Sequence, residues 1–361
     1  MRMKTEGNGS GTSRVLMVGP DIHAMGGIAT MERNILDAAA LTGRGIEFIP
    51  TVADCSKINK MFMFTKALAE THTRLHHADV CHVHTALGMS YRRKYLVCRQ
   101  AIKAGVPYVL HMHEGDFENL YMAMAASECT KVEWMMRSAA KVIVLSKEWD
   151  AYFRSNFGLN NTVILENAVF VPEAVSGKKD STKFYFLGRM CPGKGVDTLL
   201  KAIQRLVISH PEVKVFIAGG GERLESYKKL AVELGIESNV EFLGWADDVV
   251  KVRLAEECLT SVLPSNAEGL PMSVLESMAA GCASIATKVG GLPDLIDDGV
   301  NGLLIDPHDS EGLAATMAKC IEDSDWTHEI GAGGRQTIID QFSMRTYFRN
   351  LEAIYEEVTS S

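Results

Sequence analysis

SNAEGLPMSVLESMAAG occupies residues 265–281 and follows a short apolar run that ends at Leu263. Pro271 stands where a helix would begin and Gly281 just past where it would end, so the segment reads strand, loop, helix. Such a junction is an anion site, because free N–H groups and the positive end of the helix dipole converge on residues 269–273. Glu268 lies in the loop and Glu276 one to two turns inside the helix. Carboxylates so placed could accept hydrogen bonds from the hydroxyls of a sugar and of a ribose, with backbone N–H groups holding phosphate between them. Taken alone, Glu268 reads as readily as a solvated loop acid, and Glu276 as an ordinary helix residue.

Outward from this stretch, short apolar runs bounded by turn residues alternate with segments of helical period, the pattern of repeated βα units on a parallel sheet. The expected strands of the second half are 183–187, 213–218, 240–243, 259–263, 283–286 and 302–305. Those of the first half are 15–18, 46–50, 80–84, 108–111, 142–145 and 163–165, with helices such as 28–41 and 92–104 between them. Residues 172–182, PEAVSGKKDST, read as the linker between two Rossmann-like domains, 14–171 and 183–342. Residues 1–13 read as a disordered tail. The last helix, about 343–358, carries a stripe of Tyr347, Phe348, Leu351, Ile354, Tyr355 and Val358. The stripe does not say which domain receives it.

Composition narrows the class. With 361 residues the chain exceeds the roughly 250–300 at which a single core stops growing, and two domains make a cleft. At 47% hydrophobic residues, disorder is excluded for the bulk of the chain. The net charge of -8 has the wrong sign for a protein held to nucleic acid by its overall field. Eight cysteines at least 17 positions apart, with no C-x-x-C pair, fit neither a zinc ribbon nor a small disulfide scaffold, and are read as the reduced thiols of a cytoplasmic protein. Residues 1–13 lack the apolar segment of a secretory signal, and no run approaches the roughly 18 apolar residues of a membrane-spanning helix.

Three further glycine loops follow strands. In LGRMCPGKG, residues 187–195, Arg189 and Lys194 stand on neighbouring loop edges where they could grip a diphosphate; a basic solvated loop is the alternative. Gly26 and Gly27 lie between the first strand and first helix, where a plain tight turn also fits. Residues 219–221, GGG, fail the dinucleotide fingerprint, since the sixth position would be Leu224. Two H-x-H pairs, His82 with His84 and His111 with His113, end neighbouring strands, where an imidazole could meet a sugar hydroxyl or a departing phosphate. A metal site is the lesser alternative; His111 could be a satisfied core histidine, with His113, beyond the strand end, the one free for function. Residues 57–66 and 91–95 mix cations with apolar side chains and could touch an anionic membrane surface, or be amphipathic helices on the sheet.

Together these segments resemble the retaining glycosyltransferases of family 4, over nearly the whole chain from about residue 14 to 358. The family's E-x7-E motif is matched by Glu268 and Glu276, followed by VGGLPDLIDDGVNGLLIDPHD at 289–309. Residues 166–169, ENAV, stand for the frequent P-N-G-V, with Glu166 as a departure; Glu114 after His113 is another. The resemblance implies an α/β GT-B fold of two facing Rossmann-like domains, with the final helix crossing back to the first. It also implies sugar transfer from a nucleoside-diphosphate sugar, UDP-sugar ahead of GDP-sugar, with retention and without a metal or other cofactor. Arg189 and Lys194 would bind the diphosphate, Glu268 and His113 the sugar, and Glu276 the ribose. Amides at Gly269, Leu270, Met272 and Ser273 would support phosphate and sugar. Gly26 and Gly27 would close from the other domain, and Trp245 would lie near the base. His84, Tyr91 and Arg92 are the expected acceptor side. The acceptor would be a glycan, free or on a polyprenyl diphosphate, in surface polysaccharide synthesis, with the enzyme cytoplasmic and peripheral on the inner membrane face. A nucleotide-sugar 2-epimerase and a non-catalytic sugar-nucleotide-binding subunit are the alternatives.

Overall fold

The computed structural model describes residues 13–53, 55–175 and 178–360. Two six-stranded sheets, all parallel, form the framework. The first contains β1 (Val15–Gly19), β2 (Ile46–Pro50), β3 (Val80–Thr85), β4 (Tyr108–Met112), β5 (Lys141–Val144) and β6 (Thr162–Ile164), in the order β2-β1-β3-β4-β5-β6. The second contains β7 (Asp180–Leu187), β8 (Lys214–Ala218), β9 (Val240–Gly244), β10 (Cys258–Leu263), β11 (Ala283–Thr287) and β12 (Leu303–Ile305), in the order β12-β11-β10-β7-β8-β9.

Strands buried on both faces need apolar runs, and β1, β4, β10 and β11 are buried at every position because helices cover both sides. The order reverses between β1 and β3 in the first sheet and between β7 and β10 in the second. In open parallel sheets the crevice at such a reversal, beyond the carboxyl ends of the strands, is where ligands sit. The segments after β1, β7 and β10 hold Gly26 with the helix start at Gly27, Arg189 with Lys194, and Glu268, and β3 ends just past His84.

All twelve expected strands are present, with ends shifted by up to three residues; β7 starts at Asp180. Of the expected linker, 176–177 lie outside the described residues and 180–182 belong to β7. The expected disordered tail lies outside them except for Ser13. The chain crosses between the halves twice, and the crossings pair: Val169 N–H donates to Phe342 O at 3.0 Å, and Met344 N–H to Val169 O at 2.9 Å. The final helix, Met344–Ser360, then lies on the first half. Tyr355 reaches His82 at 2.7 Å, and Glu352 pairs with Arg44 at 3.0 Å. Among the described residues no helix is long and apolar enough to cross a membrane.

The reading of 91–95 as a cationic surface patch needs correction. Lys94 is wholly buried and bonded to Thr51 Oγ1 beside the carboxyl of Glu32, and burial lowers its pKa to about 7. Helix Met89–Ala104 turns Tyr91, Lys94, Val97, Cys98 and Ala101 inward, a periodic stripe that includes a lysine. Helix Lys57–Leu75 does expose Ile58, Met61 and Phe62.

Candidate functional site

A cleft of about 530 Å³ separates the halves, within the usual size for a small-molecule site. Two helix N-termini face each other across it. Helix Gly27–Leu41 starts from Gly26, and helix Met272–Ala279 from Pro271; no side chain caps either. A Cβ on Gly27 would come within 3.6 Å of Met272 Cγ, so the two ends nearly touch. Uncapped N–H groups and two dipoles thus aim at one space, with an anion as the matching occupant. Gly26 adopts φ 136°, which favours glycine and lets the backbone turn directly into the helix.

Lys194 and Glu268 join over this space. The loop carrying Lys194 is pressed on the end of β10: Gly195 has φ 65°, and a Cβ there would lie 1.8 Å from Pro264 O. Lys194 Nζ is 2.5 Å from Glu268 Oε1, which also accepts from Ser265 Oγ at 2.7 Å. Glu268 is only 6% exposed, so its carboxylate is held by these two donors, not by solvent. Arg189 is mostly exposed and 3.8 Å from Glu222, a weak hold that leaves it free to turn to an anion.

Glu276 projects from the second turn of its helix and meets Lys251 Nζ at 3.1 Å. Burial raises its pKa and Lys251 opposes that rise. Trp245 is 45% exposed and lies on Gly220, where a Cβ would be 2.2 Å from the indole nitrogen. The glycine run at 219–221, unfit as a dinucleotide fingerprint, is therefore the floor under this ring. Arg33 of the first half reaches Asp248 of the second at 3.5 Å.

The expected donor-side residues Gly26, Gly27, His113, Arg189, Lys194, Trp245, Glu268, Gly269, Leu270, Met272, Ser273 and Glu276 all line this one cleft. The expected acceptor-side residues do not. His84 is fully buried behind His113, and Tyr91 is 3% exposed with its hydroxyl on Glu128. Arg92 points to the same Glu128 at 2.8 Å. The cause is register: the strand position of His84 faces the covering helices, and Tyr91 belongs to the inward stripe of its helix.

Sequence reading missed several participants. Asn167, inside ENAV, donates from Nδ2 to Leu270 O at 2.7 Å and ties the first half to the loop before helix Met272–Ala279. A Cβ on Gly115 would lie 2.6 Å from both Glu268 C and Gly269 N, so the two halves touch backbone to backbone there. Gly290, φ 55°, packs equally tightly on Glu268 O, and Gly291 N–H donates to Gly269 O at 2.7 Å, which accounts for the VGG following the helix. Of these, ENAV and the VGG run carried a sequence signal, and Gly115 carried none.

The four histidines form two head-on pairs. His82 Nε2 is 3.3 Å from His111 Nδ1, and His84 Nδ1 is 2.8 Å from His113 Nε2, with ring planes inclined by 8° and 14°. The pairs stack, His82 on His84 at 4.2 Å and His111 on His113 at 4.1 Å. Although His82, His84 and His111 lie close enough together for a cation, in each head-on pair a lone pair points at the neighbouring ring's proton, the geometry of imidazole–imidazole hydrogen bonds. Burial drives all four pKa values down, those of His82 and His113 to about 3, so the rings are neutral.

Comparisons with known proteins agree with this architecture. Residues 29–168 match the glycosyl transferase 4-like domain and residues 172–337 match glycosyl transferases group 1. The lipopolysaccharide core biosynthesis glycosyltransferase LpsE of Rhizobium meliloti is 34% identical over 157 residues, 44% of this chain and 44% of that protein. A D-inositol 3-phosphate glycosyltransferase of Corynebacterium efficiens is 31% identical over 184 residues, 49% of this chain and 43% of the relative. The matched region spans less than half the length of each. Anabaena HepE, solved with UDP and glucose, superposes with a TM-score of 0.78 over 96% of this chain and 100% of that one at 18% identity. Sucrose-phosphate synthase of Thermosynechococcus elongatus gives 0.78 over 96% and 99%, also at 18%. The chain has the GT-B architecture, and each half matches a glycosyltransferase domain model.

Proposed function

We propose that the protein is a retaining, metal-independent glycosyltransferase that moves a hexosyl group from a UDP-sugar to a glycan or polyprenyl-diphosphate-linked acceptor in surface polysaccharide synthesis. The observation that carries this reading is the meeting of two uncapped helix N-termini with Lys194 and Arg189 in one cleft. That arrangement suits a diphosphate, flanked by one carboxylate for a sugar, Glu268, and one for a ribose, Glu276. The complex of HepE with UDP-glucose supports a UDP-sugar as donor.

In the transfer, the bond from the anomeric carbon to the diphosphate oxygen breaks and a bond to the acceptor oxygen forms on the same face. The acceptor proton passes to the departing phosphate oxygen. Charge builds on that phosphate, so its stabilisation by fixed cations and helix N-termini is the main task of the site. Lys194 is drawn from Glu268 toward the phosphate as the donor binds, which frees Glu268 to accept from sugar hydroxyls. His113 meets the sugar from the first half. The exposed Ile58, Met61 and Phe62, with Lys66 nearby, are the proposed membrane contact on the cytoplasmic leaflet.

Thermal-shift titration with UDP, GDP and ADP tests the nucleotide, since a ligand bound only to the folded state at 100 times its Kd adds about 2.7 kcal/mol. UDP is expected to give the largest rise in Tm. Mass spectrometry of UDP-sugar incubated with and without acceptor glycans, in EDTA, tests transfer. No Tm shift with any nucleotide, together with no acceptor-dependent product, overturns the proposal.

A further inference from the structure

His84 touches nothing in the cleft, yet it holds His113, which lines it. Its Nδ1 is 2.8 Å from His113 Nε2, and both rings are neutral, so a single proton occupies that hydrogen bond and the tautomers are coupled. If His113 donated, His84 would carry its own proton on Nε2, a fully buried atom with no partner. If His84 donates from Nδ1, the atom left unpaired is a bare lone pair instead. An orphaned buried N–H is the costlier and rarer of the two. That difference puts the proton on His84 Nδ1.

We infer that His84 is a positioning residue that fixes His113 as its Nδ1–H tautomer, so that His113 offers a neutral N–H donor to an oxygen of the bound sugar. With Nε2 accepting from His84, Nδ1 is the ring nitrogen left for the cleft. His113 then orients the sugar through one hydrogen bond and supplies no charge. Burial is the reason it stays neutral through the working pH range. The groups packed around the pair agree with this. Glu32, on the helix that starts at Gly27, has its carboxyl pushed well above the usual range by burial, and Lys94 is lowered to about 7. His82 and His111 are neutral, Tyr355 closes the far side through His82, and the Lys194–Glu268 pair faces it across the cleft. The tautomer assignment stands on the contacts of the pair and the neutrality of its buried rings; the role toward the sugar rests on the proposed function.

The experiment has two arms. Nitrogen-15 histidine NMR of the full, nucleotide-free chain reads the His113 tautomer: a proton on Nδ1 is expected, and a proton on Nε2 overturns the inference whether or not the protein transfers sugar. The second arm compares variants in the UDP-sugar transfer assay. His84→Asn places an amide N–H where Nδ1–H stood and is expected to keep kcat within about threefold. His84→Ala removes one hydrogen bond of typical strength and is expected to lower kcat about tenfold with little change in donor KM. It should also raise an acid limb toward the ordinary histidine value of about 6.5 as water enters beside His113. Equal losses in the Asn and Ala variants, or an unmoved pH profile in the Ala variant, overturn the positioning role. If the Ala variant fails to fold, wild-type NMR and the Asn variant decide. Inactive wild type showing Nδ1–H refutes the proposed function and leaves the tautomer assignment standing.

Discussion

Gly115→Ala perturbs the point at which the two halves meet. The added Cβ would lie 2.6 Å from Glu268 C and Gly269 N and 2.9 Å from Glu268 Cα. Carbon atoms rest at about 3.5–4.0 Å, so the first half must retreat by about 1 Å from the loop holding Glu268. Those contacts are backbone atoms, pinned by the Gly291 bond to Gly269 O and by Gly290 against Glu268 O, so they cannot swing aside as a side chain would. A 1 Å misplacement of reacting groups costs about 100-fold in rate. The contact lies between the halves and outside either core, so Tm should hold within about 2 °C, a change below about 1 kcal/mol for a chain of this size. The ribose and base contacts proposed for the second half are untouched while the helix end at Gly26–Gly27 draws back from the diphosphate, so UDP affinity should fall by no more than about tenfold while kcat falls about 100-fold. Gly45→Ala, with no heavy atom within 4 Å and no positive φ, is the control and should match wild type. Steady-state transfer kinetics with UDP titration measures both quantities. A Gly115→Ala variant with kcat within threefold of wild type would refute the reasoning, as would a loss of UDP affinity as large as the loss of rate.

Three further outcomes follow from the same geometry. Lys194→Ala and Arg189→Ala should each lower kcat/KM by at least about 100-fold, the scale for losing one fixed charge stabiliser, and near wild-type turnover would remove them from the site. His82, wholly buried with its pKa held to about 3, binds a proton in the unfolded chain near 6.5 and not in the fold. Between these values the unfolded state holds more protons, so stability is full above 6.5 and declines as pH falls, by about 2 kcal/mol at pH 5 from this residue alone. Denaturant unfolding at pH 7 and pH 5 measures it, and a His82→Asn variant with an unchanged pH slope would contradict it. Phe62→Glu should weaken binding to anionic vesicles at low salt by at least tenfold without altering Tm, whereas unchanged binding would exclude this helix as the contact.

Much of the fold was legible because parallel strands buried on both faces must be apolar and their bounding loops must carry glycine and proline. β2 matches its expected span, and β7 differs most because Asp180, Ser181 and Thr182 are polar at the sheet's unburied start. The gathering of Glu268, Glu276, Arg189 and Lys194 in one cleft was legible for a related reason. Glu268, Arg189 and Lys194 sit in segments just after strands and Glu276 in the helix that follows one, so chain position set place in space. His84, Tyr91 and Lys94 lie elsewhere than on an accessible acceptor or membrane face because the partners that bury them, Glu32, Glu128 and Thr51, lie between 37 and 62 positions away in the chain.

The sequence by itself determined two βα series, their strands, and the loops able to hold a diphosphate, since these depend on periodicity and turn chemistry within a few residues. Only the tertiary structure decided which face each loop meets. Gly115 matters because Glu268 comes against it from the other half, and His113 has one nitrogen left for the cleft because His84 of the neighbouring strand takes the other. Contacts across a sheet or between domains join residues far apart in the chain, and physical distance, which local pattern does not encode, sets their chemistry.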